Sequence, residues 1–140
     1  MIVLDTNVVS ELMRPAPTPA VLDWVDAQPP SELVITAVTA AELRAGVAVL
    51  PSGRQRTDVS RRMELLLTRT FGDSILPFDG PASAHYAEVV AARQRAGRPI
   101  SALDAQIAGI CRQHDAVLAT RNMRDFASIG VELIDPWTAT

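Results

Sequence analysis

The chain has no lysine: all thirteen basic residues among its 140 are arginine. That removes every site built on a lysine. A phosphate-binding P-loop needs one, and no Gly-x-Gly-x-x-Gly or Gly-x-Ser-x-Gly occurs either. Cysteine is nearly absent; the single Cys111 cannot pair within the chain, which fits a reducing compartment. Aromatic residues make up only 4%, and Trp24, Phe71, Tyr86 and Trp137 are too scattered to form a base-stacking platform. The two histidines, His85 and His114, have no ligand partners at useful spacing. No apolar run approaches the ~20 residues needed to span a bilayer. The N-terminus lacks a basic region followed by an apolar stretch and a small-residue cleavage site. These absences lead us to expect a soluble, cytoplasmic protein.

Net charge is also short on the positive side, at −3 with a pI near 5.3. A generic nucleic-acid coat would be basic, so the overall charge speaks mildly against non-specific DNA binding. A cluster of carboxylates awaiting a divalent cation would itself make the balance negative. Arginine suits bidentate phosphate contacts, so its exclusive use is compatible with RNA binding, although coding bias explains it as well.

What is present is a 48% hydrophobic chain rich in Ala, Val and Leu. Its length suits one domain, residues 1–140, with a core that needs no disulfide or structural metal. Strands are expected at Ile2–Leu4, Leu33–Thr36, Ile75–Phe78, Ala116–Ala119 and Val131–Ile134, mostly as continuous apolar runs, with Glu132 interrupting the last. Between them lie helical segments: Val8–Met13, one opened by Thr18-Pro19, one opened by Thr39 and running to about Leu50, and Arg54 to about Thr70. Pro81 and Ser101 open two more, and Met123–Ala127 reads as a short helical turn. Strands alternating with helices predict an α/β fold, a central parallel sheet of about five strands flanked by helices.

In such a sheet, ligands bind outside the C-terminal strand ends. Asp5 ends the first strand. Glu42 lies one turn into the helix after the second, and Asp104 one turn into the helix before the fourth. Asn122 and Asp125 follow the fourth strand. Hard divalent cations take oxygen ligands, so these acids suit Mg²⁺ or Mn²⁺ better than zinc, and phosphodiester hydrolysis is the matching chemistry. Each acid also has an ordinary structural reading. Thr39-Ala40-Ala41-Glu42 has the form of a capping box, Ser101-Ala102-Leu103-Asp104 is a close variant, and Asp5 can cap the first helix. Both readings remain open on spacing alone. Two other families place an acid at the end of a first strand, the haloacid-dehalogenase-like phosphatases and the response-regulator receivers. Both require a lysine that this chain does not have.

Asp5-Thr6-Asn7 after an N-terminal strand resembles the PIN-domain pattern. So do Thr39-x-x-Glu42-Leu43, Asp104-Ala105-x-Ile107-Ala108, and Ala119-Thr120-Arg121-Asn122 with Asp125-Phe126. The likeness is nearest to the VapC toxins, in their FitB-like branch, and extends over Ile75-Leu76-Pro77-Phe78-Asp79 and the closing Pro136-Trp137. The resemblance implies a PIN-like fold and a Mg²⁺-dependent endoribonuclease, the toxin of a toxin–antitoxin pair, acting on structured RNA such as tRNA. It also implies a VapB-type antitoxin as partner, pairing of toxin subunits, and a toxin–antitoxin hetero-oligomer. Asp5, Glu42 and Asp104 match the family's acidic positions. Asn122 departs, since many relatives carry aspartate there; we expect Asn122 to orient water beside the ion while Asp125 lends charge.

Thr6, Asn7 and Thr120 are expected to support the acids, and Arg121 and Arg124 to reach RNA phosphates or solvent. The basic segments Arg93/Arg95/Arg98 and Arg54/Arg56 are read first as solvated faces and second as phosphate contacts. Cys111 is expected in the core. Apolar residues of the first two helices (Val8, Val9, Leu12, Leu22, Val25) serve the core or a partner groove. Two other readings use the same residues: a non-catalytic antitoxin-binding partner whose acids cap helices and receive an antitoxin arginine, and a DNA nuclease with the same metal site.

Overall fold

The structure, a computed structural model, describes residues 1–139; Thr140 lies outside the described residues. Five short parallel strands form one sheet in the order β3-β2-β1-β4-β5. They are β1 (Ile2–Leu4), β2 (Leu33–Thr36), β3 (Ile75–Leu76), β4 (Val117–Ala119) and β5 (Leu133–Ile134). Every pairing is parallel, with Val3 opposite Val34 on one side and Leu118 on the other.

Side chains on a strand alternate between faces, and here both faces are covered. Val3, Val34 and Leu118 point to a cluster closed by α5 (Gly80–Arg95) and α6 (Ala102–His114), together with Phe126 and Ile129. Leu4, Ile35 and Ala119 point the other way, under α1 (Thr6–Leu12), α2 (Pro19–Asp26), α3 (Ala37–Ala48) and α4 (Arg54–Leu65). This is why the strands read as unbroken apolar runs rather than alternating ones. Each fully buried Leu, Ile, Val or Phe in these two clusters contributes about 1.5–3 kcal/mol relative to exposure. Cys111 sits in the first cluster with no exposed surface, so the sequence expectation for it holds.

The two helices on the first face approach so closely that a Cβ on Gly109 would lie 2.8 Å from the Ala82 carbonyl oxygen and 3.0 Å from the Tyr86 nitrogen. Glycine at 109 is therefore a packing requirement.

Several elements differ from expectation. The third strand stops at Leu76 because Pro77 has no N–H to continue a ladder. The helix from Arg54 does not run as one α-helix to Thr70. It ends at Leu65 and continues as a π-helical stretch over Leu66–Thr70, closed by the Phe71 N–H donating to the Leu66 carbonyl. Met123–Ala127, by contrast, is a turn as expected, built from two i→i+3 bonds, with Asp125 N–H bonded to the Asn122 carbonyl and Ala127 N–H to that of Arg124. The helix after β2 begins at Ala37, not Thr39, and its cap is Thr36, whose hydroxyl accepts from the Thr39 N–H at 3.1 Å.

Candidate metal centre

The strand order reverses direction at β1, where β2 lies on one side and β4 on the other, so the carboxyl ends of β1 and β4 flank a topological switch point. The β1–β4 register pairs Leu4 with Ala119 and continues one step beyond, with the Asp5 N–H donating to the Ala119 carbonyl at 2.9 Å. Asp5 and Thr120 thus leave the sheet side by side. The Thr120 hydroxyl donates to Asp5 Oδ2 at 2.8 Å, and the Asn7 amide donates to the same oxygen at 3.2 Å. The Thr6 N–H donates to Oδ1 at 2.8 Å, so Asp5 is also the cap of α1. Capping and site membership coexist in this residue.

Asn7 ties the two strand ends together, since its Oδ1 accepts from the Arg121 N–H at 3.3 Å. Thr120 Oγ1 in turn accepts from the Asn122 N–H at 3.0 Å.

Glu42 is held from α1. The Thr6 hydroxyl donates to Glu42 Oε1 at 2.8 Å and lies 3.1 Å from the Thr39 hydroxyl oxygen, which is 3.4 Å from that of Thr36. A hydroxyl has one proton to give. With the Thr6 proton committed to Glu42, donation runs from Thr36 to Thr39 to Thr6 to the carboxylate. This corrects the capping-box reading: Glu42 lies beyond the first turn of α3 and caps nothing, while Thr36 does the capping. Asp104 matches expectation more nearly. It lies in the first turn of α6, and its N–H donates to the Ser101 hydroxyl at 3.2 Å.

Asp5 and Asp104 feel the neighbouring acids. Burial pushes the Asp5 carboxyl up to about 6, against the hydrogen bonds from Thr120 and Thr6, and the charges of Asp104 and Glu42 raise it further. Asp104 is also raised, first by burial and then by repulsion from Asp125 and Glu42, with the Ser101 hydroxyl and Arg93 opposing. None of the ion pairs among the described residues involves these acids. Asp104 and Asp125 line one small cavity of about 150 Å³ with Arg93, Ile100 and Ser101.

Among the described residues, no three acidic, histidine or cysteine side chains stand close enough to hold one ion together. The donor set nevertheless fits Mg²⁺. Every candidate ligand is an oxygen, and Mg²⁺ characteristically keeps several waters beside one or two carboxylates and substrate phosphates.

Asn122 and Asp125 are both exposed on the loop after β4. Asn122 joins the network through its backbone, whereas Asp125 is the one whose charge acts on Asp104. Arg121 places its guanidinium 4.9 Å from the Trp137 ring centroid, a cation–π contact at the edge of the site. Arg124 is exposed. Arg93 is neither a solvated charge nor a phosphate contact: it is 6% exposed and bonded to backbone carbonyls.

The sequence reading missed Thr36 and the role of Thr39 beside Thr6. Polar side chains at the end of an otherwise apolar strand were the available signal. A groove of about 820 Å³ also starts at Thr6 and Glu42 and runs between α1, α3 and α4, lined by Met13, Leu43, Val47, Leu50 and Val59 among others.

Residues 2–132 match the family model described as PIN domain. The chain is 42% identical over 137 residues to the VapC ribonuclease Y4jK of Sinorhizobium fredii, covering 98% of each chain. It is 39% identical over 137 residues to Toxin FitB of Neisseria gonorrhoeae, covering 98% of this chain and 99% of that one. The crystal structure of FitAcB from Neisseria gonorrhoeae superposes with a TM-score of 0.92 at 38% identity, covering 99% of this chain and 100% of its counterpart.

Proposed function

The chain belongs to the PIN-domain family, among the VapC and FitB toxins, and from that premise we propose that it is a Mg²⁺-dependent endoribonuclease, the toxin of a toxin–antitoxin pair. The observation that carries the catalytic part is Asp5: a buried carboxylate, raised to about 6, at the switch point of the sheet and repelled by Asp104 and Glu42. A lone buried acid is costly, and neighbouring like charges raise the cost. A divalent cation offsets both.

In this reading the cation would sit among Asp5, Glu42 and Asp104, held directly by one or two of them and through water by the rest, with Mn²⁺ as an alternative to Mg²⁺ and Asp125 adding charge beside Asp104. Once bound, the ion supplies an activated water and stabilises charge on the phosphate and leaving oxygen. The chain's own residues fix the geometry. Thr6, Asn7 and Thr120 orient Asp5, Thr6 orients Glu42, and Asn122 ties its loop to Thr120. Outer contacts of this kind determine how well ligands are aimed. Arg121 and Arg124 are the arginines we assign to RNA phosphates, with Arg121 steadied by Trp137. The substrate class we favour is structured RNA such as tRNA.

The partner in this reading is a VapB/FitA-type antitoxin. The apolar groove ending at Glu42 supports it, since a partner segment laid there would reach the acids with a basic side chain. We also place two toxin copies in the assembly.

Inducible expression in a bacterial host tests the proposal. The wild-type chain is expected to arrest growth and leave new RNA 5′ ends, co-expressed antitoxin to relieve the arrest, and Glu42→Gln or Asp104→Asn to abolish it. Arrest and cleavage that survive both substitutions would exclude the metal mechanism, whereas a wild-type chain that neither arrests growth nor cleaves RNA would leave the non-catalytic antitoxin-binding reading.

A further inference from the structure

Arg93 sits in the last turn of α5, almost wholly out of water, with none of the chain's carboxylates as a salt-bridge partner among the described residues. Its guanidinium is spent instead on main-chain oxygens. Nε donates to the Arg98 carbonyl at 2.7 Å, and Nη1 donates to the Asp125 carbonyl at 2.7 Å and to that of Ala127 at 3.4 Å. Its own carbonyl accepts from the Arg98 N–H at 2.9 Å, so the α5 terminus and the following turn are clamped in both directions. Gly97, at φ +68°, makes that turn.

The two segments brought together here are the ones that carry acids. One runs from Arg98 through Pro99 and Ile100 to Ser101, the cap of α6, and so to Asp104. The other is the loop after β4, which has no regular structure of its own and turns through Ser128 at φ +62° and Gly130 at φ +76°. Arg93, Asp104 and Asp125 line the same small cavity. Burying a guanidinium is expensive, and an apolar side chain could fill the space at less cost. A planar fork holds carbonyls from two segments at once in a fixed geometry; an apolar residue cannot do this, and lysine can do it only from a single point without the rigid spread of donors.

We propose that Arg93 is a positioning residue of the acidic site: by holding the carbonyls of Arg98, Asp125 and Ala127 it sets the Asp125 carboxylate beside Asp104. This rests on the reading of those acids as a cation site. It acts through the main chain and touches neither ion nor RNA.

The test is Mn²⁺ titration by calorimetry on the full chain, with amide hydrogen exchange on the same samples. Arg93→Met is expected to weaken Mn²⁺ binding about tenfold, the lower end of what loss of an outer-shell partner costs. It should also speed exchange at residues 96–104 and 122–130 while the amides of β1 and of α6 from Ala105 onward keep their protection. Arg93→Lys, which keeps the charge and loses the fork, should fall between wild type and Arg93→Met; it decides the matter if Arg93→Met does not fold. Because Arg93 works through Asp125, adding Arg93→Met to Asp125→Asn should weaken binding by much less than the product of the two separate effects.

Wild-type Mn²⁺ affinity in variants that are merely less stable would overturn the role of Arg93, as would effects that simply multiply. A wild-type chain that takes up no Mn²⁺ at millimolar concentration would instead overturn the reading of the acids themselves, and this proposal with it.

Discussion

Replacing Asp5 by asparagine should make the metal-free protein more stable at alkaline pH while destroying its activity. The Asp5 carboxyl is raised from 3.8 to about 6, a gap of about 2 units worth roughly 3 kcal/mol at 1.36 kcal/mol per unit. The sign follows from linkage: with the folded-state value above the unfolded one, the stabilisation is complete below pH 3.8 and is lost as pH rises through about 6. Above that, the folded state carries an ionised acid it accommodates poorly. Asparagine has no such cost, and its carbonyl can still accept from the Thr6 N–H. Its amide, however, meets both donors now aimed at Oδ2: the Thr120 hydroxyl can turn to accept from it, the Asn7 amide cannot, and that lost bond costs about 1 kcal/mol. The net gain at pH 8 is about 2 kcal/mol, or roughly 6 °C in Tm for a domain of this size. Thermal unfolding of both proteins in chelator between pH 4 and pH 8 reads it directly. The gap should open as pH rises from 4 to above 6, and millimolar Mg²⁺ should narrow it by stabilising only the wild type. A variant less stable than wild type at pH 8 in chelator would refute the reasoning, because the site would then favour the ionised acid unaided.

Thr6→Val should lower kcat about 10–100-fold by freeing Glu42, with Thr6→Ser keeping most of the rate; equal loss in both would point to packing instead. Phe126→Ala should cost about 3–5 kcal/mol by emptying its fully buried site, measured by urea unfolding. Cys111, buried and pushed up to about 12, should resist a thiol reagent at pH 8 until denaturant is added. Gly109→Ala should destabilise by about 1–3 kcal/mol through the contact with the Ala82 carbonyl, again read from unfolding.

The sheet was legible because its strands are short apolar runs ended by polar residues, and Asp5 was legible because it stands where the first run stops. Glu42 stands in the helix after β2 as its spacing implied, and only the capping half of its reading fails. The Thr-x-x-Glu spacing imitates a capping box, but α3 follows β2 with no connecting loop, so Thr36 at the strand end takes the cap. Local spacing cannot tell which of two threonines three residues apart lies first in the helix. Arg93 shows a different limit. In sequence it is one of three arginines around Gly97. What buries it is a set of backbone carbonyls up to 34 positions away, and backbone acceptors leave no mark on residue identity. The π-helical stretch after Leu65 was invisible for a related reason, since the amphipathic pattern from Arg54 continues through it. Asp125 and Asn122 could not be ranked from sequence because their order on the loop says nothing about which side chain faces Asp104.

The most direct test of the central claim is cleavage of RNA by the purified chain with Mg²⁺ present or chelated, alongside Glu42→Gln. The account predicts defined fragments only with Mg²⁺, suppression by chelator that added Mg²⁺ reverses, and at least about a hundredfold loss in Glu42→Gln, about 3 kcal/mol of barrier. Cleavage that persists in chelator, or that Glu42→Gln carries out at the wild-type rate, would contradict it.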